Sequence, residues 1–332
     1  MSHDRPDWLA QVDEPVLEPE RRIVDPHHHL WHSSGWGPYL ADDLLADTGS
    51  GHKVEKTVFI DCRADYREAG PERLRPIGET EFALAQSKLT EGTPTRIAGI
   101  VSFADLLLGD AVEEVLAAHV EAGQGLFRGI RHAAGWDADE RIRRSHTNPP
   151  ADLYQRDAFR AGLRVLGRMG LTFDAWSYHP QIGQLAEAAQ AAPDTTIIMD
   201  HVGGPLGIGP YEGLRDDVFL TWRAAIAELA RCDNVVVKLG GLAMPINGFG
   251  WHKRATPATS DELVAAHAPF YKHCLQVFGP DRCMFESNFP VDKQSVSYKV
   301  LYNAFKKIAK DLGEAEKDAV FYGTANKVYR LA

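Results

Sequence analysis

The feature that most constrains this chain is an alternation. Short β-branched runs recur eight times, as RRIVDPHHHL, KTVFIDCRA, RIAGIVSFADL, GLFRGIRHA, GLTFDAWSY, TTIIMDHVG, NVVVKLGGL and RCMFESNFP. Between most of them lie stretches with apolar residues at three- and four-residue intervals, such as GETEFALAQSKL, AVEEVLAAHVEA, RDAFRAGLRVLGRM, QIGQLAEAAQAA and DVFLTWRAAIAELA. Strand periods alternating with helix periods predict parallel strands joined by crossover helices. Eight such units predict an α/β fold, a single closed (β/α)8 barrel of the TIM type. The rival architecture is an open doubly wound sheet, whose nucleotide-binding form opens with a glycine-rich turn after the first strand. Here the first strand runs into His27, His28 and His29 instead.

A chain of 332 residues, 44% hydrophobic and 25% charged, suffices for one such domain. Residues 1–20 are polar, acidic and proline-bearing, without periodicity. They are expected to form an N-terminal arm, laid over the surface or mobile, ahead of a barrel spanning 21–332. The opening MSHDRPDW lacks the apolar core of a secretory signal, and no segment approaches the roughly 20 apolar residues of a membrane span. A cytoplasmic protein without a membrane partner is therefore expected. With a net charge of −10, a pI near 5.8 and scattered basic residues, nucleic acid is disfavoured as a partner. Cys62, Cys232, Cys274 and Cys283 show no CxxC spacing and read as free buried thiols. A small-molecule substrate is the expected partner, and a homo-oligomer is left open.

Three connections are longer than turns require: Trp31 to Leu45, Gly135 to Tyr154, and Ala243 to Ser260. Loops that follow barrel strands build active sites, and long ones act as lids or substrate walls. The last, AMPINGFGWHKRATPATS, either folds over a small organic substrate with Trp251 in contact, or is an ordinary surface loop.

Strand alternation predicts that Asp25, His27 and His29 project to one face, and Pro26, His28 and Leu30 to the other. Two neutral imidazoles on one strand end suit zinc, manganese or iron. His201 closes IIMDHVGG, expected to share a face with Met199, and is the third metal ligand of choice. His179, in WSYHPQI, is a candidate fourth or a structural histidine. In MFESNFPVDK, Glu286 and Asn288 face the interior, where Glu286 either binds metal, takes a proton from water, or pairs with Lys238 of VVVKLGG. Asp61, ending VFIDCRA, either supplies a further ligand or base, or pairs with Arg63 or Arg131. Arg131, in RGIRHAAG, suits a substrate carboxylate or a structural ion pair.

Together these motifs make the chain similar to the amidohydrolase-related group of the amidohydrolase superfamily, and to its sugar lactonases and pyrone-dicarboxylate lactonase. DPHHHLW, RGIRH, MDHVGGP, VKLGGL and ESNFPVDK carry the resemblance, which covers roughly Ile23 to Leu331. It implies a barrel with a divalent metal held by His27, His29 and His201, and an eighth-strand aspartate as general base. The lactonase relatives read like SDWP there, whereas this chain has Ser287-Asn288-Phe289-Pro290. An amide cannot accept a proton near neutral pH. Asn288 is thus left to bind substrate, and the base would be Glu286, Asp61 or a metal-bound hydroxide.

Four functions fit these residues. The leading one is metal-dependent hydrolysis of a lactone, or of a related small carboxylated carbonyl compound, by metal-activated water. The alternatives are a dinuclear iron or manganese oxygenase built on His179, Glu286 and Asp61, a non-oxidative decarboxylase, and a non-catalytic partner subunit.

Overall fold

A crossover helix must turn an apolar stripe to the sheet, and the intervening sequences supply one. In the computed structural model, which describes residues 5–33 and 37–332, all eight β-branched runs form strands. They are β1 Arg22–His28, β2 Lys53–Ile60, β3 Arg96–Ser102, β4 Phe127–Arg131, β5 Thr172–Ala175, β6 Ile197–Met199, β7 Val235–Leu239 and β8 Cys283–Phe285. Each strand pairs with the next in sequence, always parallel. The seam between β8 and β1 is drawn together by two hydrogen bonds. His29 N–H donates to Phe289 O at 2.8 Å, and Asn288 N–H to His27 O at 3.0 Å. The result is a (β/α)8 barrel.

The helices are α1 Pro6–Leu9, α2 Ala41–Thr48, α3 Ile77–Leu89, α4 Val112–Ala122, α5 Asp157–Arg168, α6 Ile182–Ala191, α7 Arg215–Leu229, α8 Ser260–Phe278, α9 Tyr298–Ile308, α10 Glu314–Asp318 and α11 Thr324–Val328. On α5 the buried face is Phe159, Leu163, Val165 and Leu166; each such side chain contributes about 1.5–3 kcal/mol by leaving water. The start of α8 is set by a reciprocal cap: Thr259 Oγ1 accepts from Glu262 N–H at 3.3 Å, and Glu262 Oε2 accepts from Thr259 N–H at 2.9 Å. No helix among the described residues is long and apolar enough to cross a membrane.

The barrel interior has an apolar floor. Val24, Val58, Ile60, Ala98, Val101, Ile198, Val236 and Met284 form it, and Tyr329 and Leu331 plug it from the C-terminal segment. The segment is held by Lys56 Nζ donating to Leu331 O at 3.0 Å, and by Arg96 donating to Ala332 O. Polar side chains above this floor therefore face the opposite, C-terminal mouth.

The arm within residues 5–20 lies along the barrel and is tied to it. Arg5 donates to His252 O, Trp8 Nε1 to Ala255 O, and Lys306 Nζ to Leu17 O and Glu18 O. Residues 1–4 of the expected arm, and 34–36 of the Trp31 to Leu45 connection, lie outside the described residues. The rest of that connection runs into α2.

Two details of the expected alternation are corrected. On β1 the pairing register slips between Asp25 and His28, so one extra residue is inserted. Val24 and His27 both face the interior as a result, while Asp25 faces outward, accepting from Tyr298 Oη at 3.0 Å and Ser287 N–H at 2.9 Å. On β6, Met199 belongs to the outer core and does not share a face with His201. The strand ends at Met199, and His201 and Val202 take left-handed backbone conformations, φ 53° and 48°. A period of two no longer applies there.

Candidate active site at the barrel mouth

His27 and His29 turn towards each other, with Nε2 atoms 3.2 Å apart. His29 Nδ1 donates to Ile60 O at 2.8 Å, which fixes its proton and leaves Nε2 a bare lone pair. The left-handed turn after β6 swings His201 over the same centre, its ring centroid 4.4 Å from that of His27. His201 Nδ1 donates to Glu286 Oε1 at 2.7 Å, so its Nε2 is also free. Glu286 Oε2 lies 2.8 Å from His27 Nδ1. One carboxylate at the end of β8 thereby reaches both imidazoles.

The glycine pair of VKLGGL makes this packing possible. A Cβ on Gly240 would stand 2.2 Å from the Glu286 side chain, and one on Gly241 would stand 2.4 Å from the His201 ring. Gly241 also has φ 69°, a conformation that favours glycine.

Beneath the histidines lies an ion cluster. Lys238, fully buried on β7, is 2.6 Å from Asp174 Oδ1 and 2.9 Å from Asp200 Oδ1. Its Nζ also stands 3.1 Å from His27 Nδ1. Tyr329 Oη donates to Asp174 Oδ1 at 2.5 Å. Lys238 pairs with Asp174 and Asp200 rather than with Glu286, the ion-pair partner that the sequence suggests. Asp61 is engaged by Arg131, whose Nε lies 3.4 Å from Oδ2 and whose Nη2 donates to the Asp61 carbonyl, and by His146 Nε2 at 3.2 Å.

Charge follows from this arrangement. Burial and the adjacent Lys238 push His27 well below the ordinary histidine range, and burial with Arg131 does the same to His29. Burial opposes ionisation of Glu286, yet the two histidines hold its pKa down to about 2. Burial raises Asp174 to about 6 despite Lys238. For Lys238, burial is outweighed by Asp174 and Asp200, and the ammonium stays charged. Four buried carboxylates, Asp61, Asp174, Asp200 and Glu286, thus face two permanent cations, Lys238 and Arg131.

Several expected residues stand elsewhere. His179 is turned aside: its Nδ1 accepts from Leu206 N–H at 3.3 Å and its ring packs on Tyr211. Trp251 lies outside the mouth, stacked on Phe249 at 5.8 Å with the Arg254 guanidinium over it. Its loop folds outward because these rings find partners on α8, where Phe249 packs on His267. Met244, Pro245 and Ile246 reach the mouth instead. Asn288, with φ 55°, lines the mouth and donates from Nδ2 to Asp292 Oδ1 at 2.9 Å. Asp174, Asp200 and His146 were not anticipated. Ile198 faces inward, so alternation from it would have found Asp200. His146, in the middle of an aperiodic loop, carries no such signal.

Over the centre opens a cavity of about 470 Å³, whose walls include Trp31, Arg131, His146, Trp176, Tyr178, His201 and Asn288. That volume suits a small organic molecule.

The amidohydrolase family profile matches residues 24–331. The chain belongs to this family. It is 31% identical over 323 residues to the uncharacterized protein y4mH of Sinorhizobium fredii, covering 93% of this chain and 98% of the relative. It is 29% identical over 328 residues to the L-fucono-1,5-lactonase of Burkholderia multivorans, covering 93% and 96%. A crystal structure of an amidohydrolase from Burkholderia multivorans with bound zinc superposes with a TM-score of 0.73 at 25% identity, covering 93% and 99%.

The residues present fit a small divalent cation. One ligand atom each from His27, His201 and Glu286 fall within 4.8 Å of one another. The 3.2 Å between His27 and His29 Nε2 is close to the roughly 3.3 Å that two tetrahedral ligands on bonds of about 2.05 Å would span. Glu286 Oε2 and both Asp200 oxygens are buried, with only His27, Lys238 and Arg131 in ion-pair reach. The surplus of buried carboxylate over buried cation is of the sign a dication balances.

Proposed function

We propose that this family member is a metal-dependent hydrolase that opens a small lactone, or a related cyclic ester, carrying a carboxylate. The observation that carries the reading is the pair of Nδ1 hydrogen bonds, His29 to Ile60 O and His201 to Glu286, which aim two bare Nε2 atoms at the centre beside His27. Zinc, manganese or iron would be held there by His27, His29 and His201, with Glu286 orienting two of the rings. When bound, such an ion acidifies a water and polarises a carbonyl oxygen.

The chain's own residues supply the rest. Arg131 is spent on Asp61, so it orients the site floor rather than gripping substrate. Arg143 and Arg144 line the cavity with no carboxylate in ion-pair reach among the described residues, and serve to bind the substrate carboxylate. Trp31 and Trp176 offer apolar walls, and Asn288 offers its amide oxygen. The likeness to an L-fucono-1,5-lactonase supports a lactone substrate. A second ion, as in a dinuclear oxygenase, would need His179 and Asp61, and both are engaged elsewhere.

The test is to load metal-stripped protein with zinc, manganese or iron and assay a lactone panel that includes L-fucono-1,5-lactone and carboxylated lactones. Ring opening that depends on metal supports the reading. Full activity of the metal-stripped protein, or of His27→Ala, overturns it.

A further inference from the structure

Asn288 lines the mouth with an amide, which cannot accept a proton near neutral pH, so another group at the mouth must exchange protons with substrate. The groups facing the cavity are few. Burial pushes the Cys62 thiol well above its usual range, with Glu79 and Asp61 adding to it. Tyr178 is raised by burial to about 12, and its hydroxyl donates to Arg143 O at 2.5 Å. His29 and His201 are tied at Nδ1 and committed to the centre. His146 remains.

We propose that His146, backed by Asp61, is the proton-transfer residue of this site. The inference rests on the lactone reading above. The His146 side chain is 28% exposed and lines the cavity, while Nε2 stands 3.2 Å from the fully buried Asp61 Oδ2. Its Nδ1 makes no hydrogen bond among the described residues. A carboxylate behind one imidazole nitrogen stabilises the cation formed when the other accepts a proton.

The loop holds the ring in place on both sides. Ser145 N–H donates to Gly135 O at 2.8 Å, Gly135 N–H returns a bond to Ser145 Oγ at 3.0 Å, and Thr147 Oγ1 donates to Ala133 O at 2.5 Å. The connection from Gly135 to Tyr154 thus carries chemistry as well as wall.

In the step assigned to it, the oxygen of a water bonds to the lactone carbonyl carbon, and the water proton passes to His146 Nδ1. The carbonyl π pair moves onto oxygen and then returns as the ring C–O bond breaks. The leaving alkoxide takes the proton back from His146, giving the hydroxy acid and a neutral imidazole. No oxidant or further reactant is needed.

The experiment compares His146→Gln with wild type on an aldono-1,5-lactone and on dihydrocoumarin, whose phenolate leaves without a proton. On the aldonolactone, kcat is expected to fall about a hundredfold or more, with KM little changed. Dihydrocoumarin needs the proton accepted from water but not returned to its leaving group, so the loss on it is expected to be smaller, and imidazole should partly rescue His146→Ala. Equal losses on both substrates, or loss in step with a lowered Tm, would mean a structural role and overturn the assignment. Wild type that opens the aldonolactone beside a fully active His146→Gln removes this role alone. Wild type that opens neither substrate removes the lactone reading and this role together.

Discussion

Glu286 Oε1 lies 2.7 Å from His201 Nδ1, and this contact decides which nitrogen of His201 meets the mouth. The other oxygen of the same carboxylate stands 2.8 Å from His27 Nδ1. Glu286→Gln keeps the shape and removes the charge. Metal affinity is expected to fall about 10–100-fold, the usual cost of losing an orienting partner of a ligand histidine. Chelator competition measures it, and unchanged affinity would show that the carboxylate does not position the rings.

Lys238 is a cation for two fully buried carboxylates. Lys238→Met leaves Asp174 and Asp200 buried without it, and stability is expected to drop by about 3–5 kcal/mol. Denaturant unfolding reads this directly. A loss well under 1 kcal/mol would mean the cluster is not held by the ammonium.

Gly241→Ala brings a methyl group against the His201 ring at a positive φ. The ring must move, so metal binding and turnover are expected to fall together while the barrel still folds. Circular dichroism alongside metal titration separates the two effects; an alanine variant that binds metal normally would contradict the packing.

Acid should destabilise the fold through buried neutral histidines far from the mouth. Burial, with Arg215 adding to it, lowers His267 to about 3, and burial lowers His119 to about 4. Their unfolded value is about 6.5. The unfolded chain therefore takes up protons below that value while the folded one does not. This stability is complete above pH 6.5 and is lost as pH falls towards the folded values, at about 1.4 kcal/mol per pH unit for each histidine. His267→Phe is expected to remove one proton from that slope. Unfolding midpoints at successive pH values from neutral to mildly acidic give the measurement, and an unaltered slope would count against the burial argument.

Much of the architecture was legible because barrel strands and crossover helices carry different periods. The inward aim of His27 and His29 came from strand alternation, although it holds only through a register slip that sends Asp25 outward. Where the backbone leaves a strand, alternation fails: the left-handed pair at His201 and Val202 brings His201 over the centre although Met199, two residues before it, packs in the outer core. Partnerships across the barrel, such as Glu286 with both histidines or Tyr329 with Asp174, depend on closure and leave no local spacing. Trp251 and His146 sit on aperiodic loops, so neither the outward fold of the one nor the cavity-facing position of the other was readable in residue order.

The plug at the barrel floor also bears on when the site matures. Tyr329 follows Asp174 by 155 residues, after every strand of the barrel. During synthesis the ribosome makes all eight strands, and with them the metal-type histidines, before the hydroxyl that hydrogen-bonds Asp174 exists. The charge cluster under His27 is therefore completed by a docking event that follows every strand, so an intact cluster reports that the turn carrying Tyr329 has closed beneath it.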